Sequence, residues 1–483
     1  MGEQQQAQAE VVEGRLPAAG RHAARGDDGG PGCQCRVAHR GRQRQVHVEV
    51  LQGRLPAPAR LGSRRHHLGR GHRQPLAGRS AVADRTPHTA PLMSTPLDSS
   101  PMDPMDTPDF EARPPRVSSH DVVVVGGGVA GLSAALTLVR AGLSACVLER
   151  TDYSPWRPGE TLSPVAYAEL QQLLAPEPLA LETEGFLVSH GLEATWGSER
   201  PHHHSFLTNP YGCGWHVERR HLDALLARHV QAHQVPMWRQ TCVTHLERRD
   251  RGWRVRARTP QGPLELHCAA LVDATGRSAQ VARHCGVRRL DWDALCSVSA
   301  ILDRPPGHQE QQLVVEATPL GWWYAAPLPQ GRFILTLVSD VDVLERHGAL
   351  KPAGWSALFS STRHLSGRLG PLPKVARLQV RRCETSRLEH AAGADWVAVG
   401  DAAAMWDPLS SSGILKGLRT GREAARALGA ALGGDGGALR DYDRRRAEEF
   451  THYLSARQAH YAQEQRWAGE DFWRRRLSAP VAA

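Results

Sequence analysis

Two hydrophobic rhythms divide this chain. Up to about residue 117 no period is sustained, and Arg, Gly, Gln, His and Pro dominate. From Val122 the pattern sharpens. Val122 to Val125 is an unbroken apolar run, as a strand buried on both faces requires. Leu132, Ala135, Leu136 and Val139 then recur at helical intervals, with Gly142 as a C-terminal cap. Residues 145–148 return to a buried-strand run. Further along, residues 165–174 predict a helix. Residues 215–230 predict an amphipathic helix that starts near Glu218 and carries Leu222, Leu225, Leu226 and His229 on one face. Residues 253–258 and 264–268 alternate as half-buried strands, and 269–274 reads as a further buried strand. Residues 295–385 read mostly as strands, clearest at 313–316, 321–326 and 333–338. An apolar strand at 396–399, a long helix over 414–432 and a charged helical tail over 439–477 complete the pattern. The fold class is therefore α/β at the start and α+β overall: a doubly wound, Rossmann-like domain, an inserted sheet domain and C-terminal helices.

Composition changes this picture in one place. Of the net charge of +9, +8 belongs to residues 1–92, which hold 15 Arg and 7 acidic residues. The remaining body is nearly neutral and has no nucleic-acid footprint. The leader has too little apolar surface to offset its ordering entropy and is expected to be disordered. The composition shifts at Met93, which suggests that the preceding residues are an over-extended reading frame. Nine scattered cysteines without a C-x-x-C fit free thiols in a reducing, cytoplasmic setting. There is no apolar run of about 18 residues and no signal-like N-terminus, so no membrane span is expected.

The chemistry begins in the glycines. Gly126, Gly128 and Gly131 follow the first strand at G-x-G-x-x-G spacing and open the helix. The first allows a tight turn, the second a close backbone approach to a pyrophosphate, and the third close helix–strand packing. Glu149 closes the second strand at the distance expected of an acid that bonds a ribose hydroxyl. Strand, glycines, helix, strand and acid in this order predict dinucleotide binding. The loop Trp156 to Pro164 follows and either reaches that ligand or merely connects. His202, His203 and His204 are adjacent, so they point different ways and are expected in an exposed loop rather than a metal site. Arg219 opens a helix, where a cation opposes the dipole; it either serves an anion or is a solvated charge. Gly321 to Pro329 is dense in aromatic residues and is either core or pocket wall. Asp407 to Gly413 precedes the long helix and leaves N–H groups free for an anion or a ring edge.

Four motifs together resemble the FAD-dependent aromatic hydroxylases and flavin-dependent halogenases: GGGVAG, the arginine of VERRHLD, DATGR, and GDAAAMWDPLSSSG. Within that superfamily the GETLSP loop, GWWYAAPLP, DPLSSSGI and the segment Tyr461, Glu464, Arg466-Trp467, Phe472-Trp473 look most like the LodB/GoxB-type flavoproteins that mature tryptophylquinone cofactors. The likeness covers about residues 118–477. It implies an FAD domain over 118–294 with part of the substrate domain inserted, a substrate-domain sheet over 295–388, the rest of the FAD domain over 389–432, and a helical segment over 433–483. It places the cofactor against Gly126, Gly128, Val129, Ala130, Gly131, Glu149, Arg150, Gly159, Thr161, Arg219, Asp401, Pro408, Ser412, Gly413 and Ile414, without a metal. Glu160 is the candidate acid–base residue, on the expected nearness of its loop to the flavin.

The function that follows is FAD-dependent hydroxylation of an aromatic ring, with a peptidyl tryptophan of a partner protein as substrate. Molecular oxygen and either NAD(P)H or a flavin reductase would be co-reactants. Halogenation is the main alternative, and the chain departs from it twice. It has no lysine before Lys351, and Ser410 stands where tryptophan halogenases carry a glutamate. A reductase resembling the geranylgeranyl reductases and a non-catalytic FAD-dependent chaperone are the remaining readings.

Overall fold

The computed structural model describes residues 115–304 and 311–478. The leader and the Met93 boundary lie outside them, apart from the last residues before 118. There the first strand begins earlier than expected, at Arg116, and runs to Val125 with its last four residues fully buried.

That strand is the middle of the central sheet. It pairs in parallel with Ala145–Leu148 on one side and with Gly262–Asp273 on the other. Two predicted strands, 264–268 and 269–274, are thus one element. Its first half lies antiparallel to Trp253–Thr259, which pairs in turn with Cys242–Arg248. Its last residues instead pair in parallel with Trp396–Ala398. The strand changes partner halfway, and this explains its two hydrophobic rhythms. The helix Val129–Arg140 packs over the first strand. Its cap is Ala141, and Gly142 follows at φ +82°, a conformation glycine adopts without cost.

The broad sheet comes from two separate stretches of chain. Its order is Gln379–Arg382, Leu295–Asp303, Arg332–Asp340, Gly321–Leu328, Leu313–Thr318, Gly191–Thr195 and His202–Ser205. The histidine triplet is therefore an exposed edge strand and not a loop. Trp215 and His216 also leave the predicted helix, because Gly214–His216 is the middle strand of a small buried sheet. The helix itself is Arg219–Ala232, capped by Glu218.

Strand alternation sends neighbouring tryptophans to opposite faces. Trp323 goes to the face covered by the helices Val341–Arg346, Pro352–Ser360 and His364–Leu369, where it meets Trp355 at 5.1 Å and Phe359 at 5.9 Å. These helices interrupt the block expected to be mostly strand. Trp322 goes to the other face, which is backed by the C-terminal segment. The expected helical tail is two helices, Ala438–Tyr461 and Asp471–Ser478. Tyr461, Phe472 and Trp473 from them form a buried cluster with Trp196 and Trp322. No helix among the described residues is long and apolar enough to cross a membrane.

Candidate active site

A cleft of about 850 Å³ runs from the glycine turn to the aromatic face of the broad sheet. Every candidate site residue lines it except Gly131. The three glycines divide their work. Gly126 has φ +110°, and a Cβ there would lie 2.2 Å from the Ala274 carbonyl oxygen. A Cβ on Gly131 would lie 2.0 Å from the Gly126 oxygen. These two glycines hold strand and helix together. A Cβ on Gly128 would meet only Arg157 Nη1, at 3.9 Å, so it would project into open cleft beside the helix N-terminus. That is the geometry a pyrophosphate needs: bare backbone, N–H groups and a helix dipole.

Glu149 is buried, and both of its oxygens are already engaged. Oε2 accepts from Gly127 N–H at 2.8 Å; Oε1 accepts from Thr151 N–H at 2.9 Å and pairs with Arg157 at 2.6 Å. Burial works against its charge, but Arg157 and these donors hold the carboxyl below the usual range. Arg150, at the strand end, is exposed along the cleft.

Arg219 is not a solvated charge. Its Nε and Nη2 bond the two oxygens of Asp223, one turn on, at 3.0 and 3.1 Å, and Nη1 donates to the Pro158 carbonyl at 3.1 Å. Gly159, at φ +113°, brings the loop backbone against this arginine, and Thr161 pairs with His216. Asp223 is completely buried and also accepts from Arg157 at 3.1 Å. Arg157 and Asp223 were not among the site residues expected from the sequence. The i,i+4 spacing of Arg219 and Asp223 was the available signal.

Asp401 lines the cleft, with its side chain about half exposed. Enclosure opposes its charge, while Lys416, Arg219 and Arg289 hold it below the usual carboxylate range. The loop from Asp407 is fixed from behind. The buried Asp407 carboxylate accepts from Leu409 N–H at 3.0 Å, Tyr461 hydroxyl at 2.8 Å and Arg457 Nε at 3.1 Å. Pro408 and Ser412 then face the cleft, and Gly413 and Ile414 begin the long helix Gly413–Leu432. The first N–H groups of that helix have no partner within it.

At the far end, Leu313, Val315, Trp322 and Tyr324 form an apolar wall. Trp322 is held from behind, its indole N–H donating to Tyr461 at 3.2 Å. The aromatic strand is thus pocket on one face and core on the other. The C-terminal Trp467 and Trp473 do not line the cleft; they pack behind it. Glu160 is buried, with Oε2 accepting from Tyr324 hydroxyl at 3.3 Å and Oε1 without a partner. Burial pushes this carboxyl up. Tyr324 also hydrogen-bonds Thr336 on the next strand, whose hydroxyl donates to Ser299 at 2.8 Å. Those three residues stand directly opposite one another and form a polar row across the sheet. Among the described residues no group of His, Cys, Asp and Glu converges as a metal site would require.

A sequence profile of the FAD dependent oxidoreductases matches residues 121–290. The chain is 29% identical over 366 residues to LodB of Marinomonas mediterranea, spanning 74% of this chain and 97% of that protein. Its fold is similar to that of the flavin-dependent halogenase CmlS, with a TM-score of 0.67 and 21% identity over 75% of this chain and 68% of that one. It is also similar to that of the peptidyl tryptophan dihydroxylase QhpG, essential for tryptophylquinone cofactor biogenesis. The TM-score is 0.63, with 22% identity over 75% of this chain and 80% of that one.

Proposed function

This chain belongs to the FAD-dependent oxidoreductases, and from that premise we propose that it hydroxylates the indole ring of a tryptophan carried by a partner protein. The observation that carries the reading is the single cleft with two unlike ends: a bare glycine turn at one and the Trp322–Tyr324 wall at the other. The similarity to LodB and to the peptidyl tryptophan dihydroxylase supports it.

Bound FAD supplies the oxygen-activating redox chemistry, with electrons from NAD(P)H or a flavin reductase. The chain's own residues do the rest. Gly128, Val129 and Ala130 would meet the pyrophosphate with backbone, and Arg157 and Arg219 add positive charge nearby. Asp401 would bond the ribityl hydroxyls. Pro408, Ser412 and the start of the long helix would border the flavin ring. Trp322 and Tyr324 confine a flat aromatic substrate and exclude water, so the reacting carbon is held rather than met by collision. Hydroxylation replaces a ring proton, and Glu160 in its ionised form is the candidate to take it, because burial makes that carboxylate a stronger base than an exposed one. The Tyr324–Thr336–Ser299 row would keep that carboxyl oriented.

Lys416 is the one lysine among the described residues that lines the cleft, and its ammonium is engaged by Asp401 and the Ala404 carbonyl. It is not free to handle a hypohalous acid, which favours hydroxylation over halogenation. The test is to co-express the chain with a tryptophan-bearing partner protein and analyse the partner by mass spectrometry. Added oxygen on one tryptophan, lost with Glu160→Gln, is expected. An unmodified partner in the presence of FAD-loaded protein, reductant and oxygen would reject the reading.

A further inference from the structure

Only three of the 59 basic residues in the chain are lysine. One of them, Lys416, occupies an unusual place. It is the fourth residue of the helix Gly413–Leu432, at the end whose dipole repels cations. Its side chain is 3% exposed. Nζ lies 2.8 Å from Asp401 Oδ1 and donates to the Ala404 carbonyl at 2.5 Å. The Trp406 ring covers it at 5.3 Å and is itself stacked on Tyr453 at 4.7 Å, with the ring planes 5° apart. A buried cation at a helix N-terminus is electrostatically unfavourable unless something nearby requires it.

Asp401 is that requirement on one side, since its side chain is 55% exposed and faces the cleft beside the helix start. A bare carboxylate there would repel the negative charge that a flavin gains on two-electron reduction. We propose that Lys416 is a redox-positioning residue: by neutralising Asp401 at the flavin end of the cleft, it raises the midpoint potential of bound FAD and so favours the reduced state. A compact ammonium suits this place better than a guanidinium, because it can be enclosed by one carboxylate, one carbonyl and one ring face. The inference rests on FAD binding and does not depend on tryptophan being the substrate.

The experiment is a charge cycle on the FAD-loaded protein, comparing wild type, Lys416→Met, Asp401→Asn and the double variant. The midpoint potential of bound FAD is read by dithionite titration with mediator dyes, and FAD affinity by fluorescence. Lys416→Met leaves an unpaired carboxylate, and the midpoint potential should fall. The double variant removes both charges, and its potential should return towards wild type. Loss of FAD from Lys416→Met with recovery in the double variant would also support the proposal, because it again reports an uncompensated charge. It is overturned if Lys416→Met matches wild type, or if the double variant stands no closer to wild type than Lys416→Met does. Failure of both Met-containing variants to retain FAD would likewise overturn it, because the pair would then be structural only.

Discussion

Asp223 sits between two arginines: its carboxylate takes Arg157 at 3.1 Å and Arg219 at 3.0 Å, and no part of it reaches solvent. Arg157 comes from the loop after the second strand and Arg219 from the start of a helix, so one buried charge fixes Arg157 beside the glycine turn and Arg219 beside Gly159. Arg157 also reaches Glu149. The three ion pairs form one unit, and removing its centre leaves Arg219 without its carboxylate and Arg157 with Glu149 alone.

Asp223→Ala should therefore be costly. Breaking a buried pair by removing one partner typically costs about 3–5 kcal/mol of stability. The loss should appear as a lower melting temperature in apoprotein. Because both arginines lose their orientation, FAD should bind at least ~10-fold more weakly, the equivalent of one lost charge-assisted hydrogen bond. Fluorescence titration with FAD measures this. Wild-type affinity in a folded Asp223→Ala protein would refute the arginines' role at the cofactor.

The glycines give a second test, because the structure separates those that pack from the one that faces the cleft. Gly128 has ordinary φ of −76° and open space beyond it. Gly128→Val should fold with a near-wild-type melting curve but purify without yellow colour. Gly131→Val should not fold, since its Cβ would overlap the Gly126 carbonyl. A yellow, fully loaded Gly128→Val protein would contradict the assignment of the pyrophosphate to this turn.

How far the sequence alone reached depended on how local the cause was. The first strand, the glycine turn, the helix and the second strand are each determined by neighbours in sequence, and they fold where their pattern says, apart from the first strand's extension back to Arg116. The strand Gly262–Asp273 was split because its covering changes along its length. Leu264 and Leu266 alternate with half-buried residues beside an antiparallel neighbour, whereas Ala270 to Asp273 are buried between two parallel strands. The helices between Val341 and Leu369 span only 6, 9 and 6 residues, too short for a helical period to stand out. Asp223 was missed for another reason. An aspartate one turn after an arginine on a helix reads as one end of a solvated pair, and its burial depends also on Arg157, 66 residues earlier. The split between Trp322 and Trp323 follows from strand alternation, but which face meets the cleft depends on the C-terminal helices behind Trp322.

Glu160 offers a pH test without any substrate. Burial raises its folded-state pKa above the unfolded carboxylate value. The sign follows from linkage: the folded protein holds this proton more tightly than the unfolded chain. Its contribution is therefore fully present below the unfolded pKa and is lost as pH rises through the folded pKa. Apoprotein melting temperature should fall across that window. Glu160→Gln is neutral at every pH and should flatten this part of the profile. Identical profiles for the two proteins would show that folding leaves the Glu160 pKa unchanged and would refute the raised value.

The aromatic end of the cleft limits which substrates are accepted. Trp322 donates to Tyr461, and Tyr324 is hydrogen-bonded to Glu160 and Thr336, so this wall is braced from behind. Binding energy for a lone amino acid is then limited to the ring itself. A partner protein adds distant contacts, which can be used to hold one indole at the reacting position. Free tryptophan should consequently turn over at least ~100-fold less efficiently than the partner's tryptophan, as loss of a few kcal/mol of positioning energy implies. The comparison needs FAD-loaded protein, reductant, oxygen and chloride with each substrate in turn, with products read by mass spectrometry. Efficient oxidation of free tryptophan would remove the partner from the argument. Its chlorination would go further, since Lys416, bound to Asp401, would then have to leave that carboxylate during turnover.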